Sequence, residues 1–261
     1  MSIRTVGGTY LWVEEGGRKD GPTLLLMHGL SGTGETWSGV RDILADRWPG
    51  RWIIPDMRGH GRSNHSVAYG IGSHAADMAA LLAGANNLFV AGHSMGGLVG
   101  IMLASGLFGV TPRAVVTSGV KVDWTEEEHA GMAKLIDMPV RWFDSDAEAR
   151  ERFVLVTGLK GIVELDSDLA RSGVVAKNGK WRLAADNRAA TVAYADTRDI
   201  YRAARGLVTL ATGGQDRMVT VEELRTLDPE ARVLAGVGHN AHVENPHAFW
   251  ELIADAAEVA R

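Results

Sequence analysis

The chain has no cysteine. Disulfides, thiolate catalysis and zinc sites built on Cys ligands are therefore excluded. It has no apolar run long enough to span a bilayer. The opening Met1-Ser2-Ile3-Arg4-Thr5 lacks the apolar core of a secretory leader, so the expected location is cytoplasmic. There is no internal repeat and no low-complexity tract. Positive charge is not in excess either: the net charge of −5 argues against nucleic acid or an anionic membrane as the main partner.

What remains is an ordinary globular composition, 46% apolar and 23% charged. A chain of 261 residues is long enough for one α/β domain with an insertion. Short apolar runs recur at Leu24–Met27, Trp52–Ile54, Leu88–Ala91, Ala114–Thr117, Leu207–Ala211 and Arg232–Ala235. Continuous apolar strands of this kind suit a parallel sheet covered on both faces. Thr9–Val13 reads as an edge strand. Helical patterns lie between these runs, near Trp37–Leu44, Ser73–Leu82, Gly96–Leu107 and Ala248–Ala260, the last opened by Asn245-Pro246. The alternation predicts an α/β class: a doubly wound, mostly parallel sheet.

One stretch breaks the rhythm. From Asp123 to Arg205 no buried strand is evident, and Thr125–Glu128 and Ser145–Glu148 both read as capping boxes. This predicts a helical cap, residues 123–205, inserted into a core made of residues 1–122 and 206–261. The cap carries Lys160, Arg171, Lys177, Lys180 and Arg182. Basic residues of this kind are usually solvated surface; capture of an acidic substrate is the alternative.

Gly92-His93-Ser94-Met95-Gly96 matches G-x-S-x-G, with a strand before it and a helix after it. A serine at such a turn is held in a strained backbone conformation with its hydroxyl raised above the sheet. A serine nucleophile needs a base, because its hydroxyl is not ionised near neutral pH. His239 follows the last predicted strand, and His242 is the second candidate. Ligands of doubly wound sheets bind beyond the strand C-termini, where Ser94 and His239 both lie. The base in turn needs an acid to orient it. Asp216, after Gly213-Gly214-Gln215, is the candidate. A tetrahedral intermediate also needs N–H donors. These are assigned to the backbone of Met95 and to that of Leu30 in the His28–Gly32 loop, at the end of the third strand.

Taken together, these motifs resemble the α/β-hydrolase superfamily, specifically its serine esterases and lactonases with a helical cap. His28-Gly29 resembles the family's oxyanion loop, and Asp56–Ser63 its D-x-R-G-x-G-x-S segment. Gly92–Gly96 resembles the nucleophile elbow, Gly213–Asp216 the acid loop, and Gly238-His239 with Glu244-Asn245-Pro246 the histidine loop. The likeness covers residues 8–120 and 205–261. It implies a Ser94–Asp216–His239 triad and favours His239 over His242, because the family's catalytic histidine follows a glycine. Some relatives place the acid one strand earlier, where Asp123 stands, which makes Asp123 the alternative acid. His28 is expected to brace its loop, and His60 and Arg62 to stitch a turn.

The expected function is acyl transfer to water from a small-molecule ester or lactone, with no metal or organic cofactor. The His239-Asn240-Ala241-His242 spacing does not match a zinc helix, which uses H-E-x-x-H. Trp37, Trp124, Trp142 and Phe143 are candidate pocket residues, although large aromatics are more often simply core. The same triad also serves C–C bond, amide or thioester hydrolysis, and a non-catalytic receptor can retain it. Oligomeric state is not legible in the sequence.

Overall fold

The computed structural model describes residues 1–260. The chain runs β1 (Ser2–Val6), β2 (Thr9–Gly17), β3 (Thr23–Met27), α1 (Ser38–Arg47), β4 (Arg51–Pro55), α2 (Ile71–Leu81), β5 (Leu88–His93), α3 (Met95–Ala104) and β6 (Ala114–Ser118). It then leaves the sheet for α4 (Glu126–Asp137), α5 (Asp146–Val156), α6 (Asp168–Ser172), β7 (Val174–Lys177), β8 (Lys180–Leu183) and α7 (Thr197–Ala203). It returns through β9 (Leu207–Gly213), α8 (Val221–Arg225), β10 (Arg232–Leu234), α9 (Ala241–Glu244) and α10 (Pro246–Val259).

Eight strands form one sheet in the order β1-β2-β4-β3-β5-β6-β9-β10. Pairs from β4 to β10 are parallel; β1–β2 and β2–β4 are antiparallel. The central strands are apolar throughout because both of their faces are covered. In β3, Leu25 and Met27 point into the layer with α2 and α3, while Leu24 and Leu26 point into the layer with α1 and α10. From β3 the chain builds outward in one direction to β4, then returns to β5 and builds in the other. The C-terminal ends of β3 and β5 therefore flank the crevice where the winding reverses.

Three expectations need correcting. Thr9–Val13 belongs to an interior strand, β2; the edge is β1. Residues Ile3–Thr5 of β1 are exposed, so no run of apolar residues betrays the strand. The excursion after β6 is not purely helical, since β7 and β8 pair as a hairpin around Asn178-Gly179, and both residues have positive φ. These strands are four residues each and largely unburied, so they lack an apolar signature. Finally, Thr125 and Glu128 complete a capping box, but Ser145 accepts from the Glu148 amide while the Glu148 carboxylate accepts from the Asp144 amide.

The excursion has its own apolar cluster around Phe143, Phe153, Leu159 and Leu169. Its last helix, α7, packs back on α3, and Ile200 joins the main core. Among the described residues no helix is long and apolar enough to cross a membrane.

Candidate active site

Ser94 sits between β5 and α3 with φ 50 and ψ −117. A non-glycine residue there carries strain of about 1–3 kcal/mol. Its amide donates to the Ser118 carbonyl at 2.8 Å, and its carbonyl accepts from Leu98, so both neighbouring elements enforce the turn. A β-carbon on Gly96 would lie 2.3 Å from the Met27 carbonyl oxygen, so only glycine lets α3 start this close to β3. The helix N-terminus lies directly beneath the serine, with its partial positive charge and free amides.

His239 follows β10, and its Nδ1 donates to Asp216 Oδ2 at 2.8 Å. Asp216 follows β9, and its side chain is fully buried. Oδ1 accepts from the Met218 amide at 2.8 Å and the Val219 amide at 3.2 Å. The Thr212 hydroxyl is 3.1 Å from Oδ2. Burial pushes the Asp216 carboxyl up, but the His239 hydrogen bond and charge and the two amides outweigh it and hold it below its ordinary value. With Nδ1 donating, Nε2 is the free ring nitrogen. Gly119 packs against the imidazole, and a β-carbon there would lie 2.9 Å from Cε1. The Ser94 hydroxyl makes no hydrogen bond to a described residue.

The loop after β3 passes over the serine, with a Gly29 β-carbon position 3.3 Å from Ser94 Cβ. The His28 ring is fixed at both nitrogens. Nε2 accepts from the Met57 amide at 2.9 Å, so Nδ1 carries the proton and donates to the Gly29 carbonyl at 2.8 Å. Asp56, wholly buried, accepts from the Gly34 amide at 2.7 Å and pairs with Arg62. His60 Nδ1 hydrogen-bonds to the Arg58 carbonyl. The Asp56–Ser63 segment thus bolts the Leu30 loop in place. Neither the Leu30 nor the Met95 amide donates to a described residue.

A model of the "Alpha/beta hydrolase family" matches residues 24–252. The chain belongs to this family.

This alpha/beta hydrolase is 26% identical over 251 residues to the sn-1-specific diacylglycerol lipase ABHD11 of Mus musculus, covering 89% of this chain and 80% of that one. It is 38% identical over 105 residues to the magnesium-chelatase 30 kDa subunit of Rhodobacter capsulatus. That match covers 39% of this chain but only 36% of the relative's length. Among solved structures, E-2-(acetamidomethylene)succinate hydrolase superposes with a TM-score of 0.78 at 23% identity, covering 98% of this chain and 99% of that one. The last likeness is one of fold alone.

In this hydrolase Ser94, His239, Leu30 and Met95 line one cleft of about 1210 Å³, roofed by the excursion after β6. Trp124, Trp142 and Phe143 line it as well. Trp37 does not. It is fully buried beneath the site, 4.4 Å from the His242 ring and 5.1 Å from Phe249, centroid to centroid. A helical apolar residue looks the same in sequence whether it faces a core or a cavity.

The two alternative triad residues lie elsewhere. Asp123 is largely exposed and pairs with Arg198. His242 is wholly buried, and neither ring nitrogen has a hydrogen-bond partner among the described residues. Burial, with the charge of His239, drops its pKa to about 3. His93 is buried between these histidines and donates from Nε2 to the His239 carbonyl at 2.9 Å.

Two positioning residues carried no assigned role in the sequence. Glu244 Oε2 accepts from the Gly238 amide at 2.7 Å and Oε1 from the Asn240 amide at 3.1 Å. The Asn240 side chain donates to the Thr157 carbonyl at 3.0 Å, tying the histidine loop to the excursion. A carboxylate a few residues after Gly238-His239 was the available signal for Glu244.

Proposed function

We propose that this chain is a serine hydrolase of a small carboxylic ester or lactone, working through an acyl-enzyme. Ser94 attacks the acyl carbon, and His239 Nε2 takes its proton. Asp216 holds the imidazole in that tautomer and stabilises the imidazolium. The Leu30 and Met95 amides receive the oxyanion. His239 then protonates the leaving alkoxide, and water activated by the same nitrogen releases the acid. Every group required is a protein group.

The observation that carries the reading is the 2.8 Å Asp216–His239 hydrogen bond beside a strained Ser94 with two unengaged amides in the same cleft. Serine and imidazole are not yet hydrogen-bonded; such contacts commonly tighten only once substrate is bound. The cap, residues 123–205, supplies the wall that selects the acyl or alcohol group. The lipase relative acts on an ester, in keeping with this reading.

The test combines a fluorophosphonate probe with turnover of short p-nitrophenyl esters. The probe is expected to label Ser94, and Ser94→Ala is expected to lower kcat by about 10⁴–10⁶ without unfolding the protein. Near-wild-type turnover by that variant overturns the mechanism. A folded wild-type protein that neither labels nor turns over esters points instead to a non-catalytic receptor.

A further inference from the structure

The cleft is electrically unlike the molecule that contains it. The whole chain carries −5, yet the described residues lining the cleft include six Lys or Arg and a single acid, Asp186. That acid is engaged: it pairs with Arg188 at 2.6 Å and accepts from the Tyr69 hydroxyl at 2.7 Å, and His65 lies 3.4 Å away. Lys121 is paired with Glu128 at 2.9 Å. Arg141, Arg152, Lys177 and Arg182 remain, and none of them has a carboxylate partner among the described residues.

Arg152 and Arg182 are partly buried, whereas Arg141 and Lys177 are exposed. Arg182 lies on β8, half-buried, with its guanidinium 6.0 Å from the Trp142 ring. Nη1 donates to the Leu183 carbonyl at 2.7 Å and approaches that of Ala184 at 3.5 Å. Nε and Nη2 have no hydrogen-bond partner among the described residues. Those two donors form the edge that a carboxylate engages with two parallel hydrogen bonds. Burial lowers the Arg182 pKa, and the nearby Asp186 charge offsets this only in part. A half-buried guanidinium with a free fork is poorly compensated until an anion arrives.

We infer that the substrate bears a carboxylate in addition to its scissile bond, and that Arg182 binds it on the cap wall of the cleft, within the field of Arg152 and Lys177. This rests on the hydrolase reading above. It assigns the cleft to the half-ester or lactone of a dicarboxylic acid, or to the ester of a carboxylated alcohol, in place of a neutral ester.

The test uses two matched pairs. Mono-p-nitrophenyl glutarate is compared with its methyl ester, and 4-(butanoyloxy)benzoate with its methyl ester, placing the carboxylate on the acyl or the alcohol side. In at least one pair the anion is expected to have a kcat/KM roughly tenfold or more above its neutral partner. That ratio should shrink in about 0.5 M salt. Arg182→Met should bring it near one, a change that general loosening of the cap would not produce because it lowers both members alike. No preference for the anion in either pair, or an equal loss for both members in the variant, overturns the inference.

Should no ester be turned over at all, the hydrolase reading fails, and glutarate binding by calorimetry judges the anion site separately. Binding that Arg182→Met abolishes supports it; no binding to the wild type overturns it.

Discussion

Glu244 grips the backbone on both sides of His239, accepting from the Gly238 amide at 2.7 Å and the Asn240 amide at 3.1 Å. One carboxylate thereby fixes the loop that carries the candidate base, while Asp216 fixes the ring itself at 2.8 Å. Backbone and side chain of His239 are held by different acids, and the two can be tested apart.

Glu244→Gln keeps the side-chain shape but weakens one or both of these charge-assisted bonds. It is expected to lower kcat roughly 5- to 50-fold, with KM little changed, because the loop loosens while the cleft stays intact. Unchanged kcat would show that the loop is held in some other way.

Asp216→Asn leaves the packing in place but removes the anion that selects the His239 tautomer. The expected loss in kcat is on the order of 10⁴-fold on a p-nitrophenyl ester. Asp123→Asn, which breaks only an exposed pair with Arg198, should stay within about threefold of wild type. The reverse pattern would transfer the acid role to Asp123.

Acid should destabilise the fold well above the range where carboxylates titrate. His60 and His242 are buried, and burial, together with the charge of neighbouring histidines, holds both near pKa 3. Both are neutral in the folded chain yet protonate near 6.5 once unfolded. Their contribution is therefore whole above about pH 6.5 and falls by about 1.4 kcal/mol per pH unit for each as pH drops towards 3. Asp216, held below its ordinary 3.8, acts in the same direction at still lower pH. Urea midpoints between pH 7.5 and 5 measure the slope, and His242→Leu should flatten it. A slope identical to wild type would mean that His242 is not the group being protonated.

Two glycines are expected to respond to alanine with opposite signs. Gly96→Ala drives a β-carbon to 2.3 Å from the Met27 carbonyl and should cost about 1–3 kcal/mol or more, read as a drop in Tm. Gly131, inside α4, has no described atom within 4 Å of such a carbon apart from its chain neighbours and its own helix backbone. Gly131→Ala should raise stability by about 0.5–1 kcal/mol. Equal effects would contradict the tight seating of α3 on β3.

Ser94, Asp216 and His239 stand out as candidates because each follows an apolar strand with a glycine one or two residues before it, features that survive in a one-dimensional string. The parallel sheet was legible for the same reason: strands covered on both faces must be apolar at consecutive positions, and β3 and β5 are buried at every residue. The hairpin β7–β8 was not, because two four-residue strands with little burial show no periodicity. Trp37 and Trp142 look alike in sequence, yet one is a buried neighbour of His242 and the other is 41% exposed at the cleft.

The sequence by itself therefore determined the fold class and named the candidate reactive groups, since those depend on local pattern and residue chemistry. Only the tertiary structure decided which histidine meets a carboxylate, which tryptophans reach the cleft and which arginines lack a carboxylate partner among the described residues. Those outcomes depend on distance and burial between segments far apart in the chain. Arg171 and Arg182 are equally charged in the sequence, but Arg171 lies 3.4 Å from an exposed Asp168, whereas Arg182 enters the cleft with its fork open.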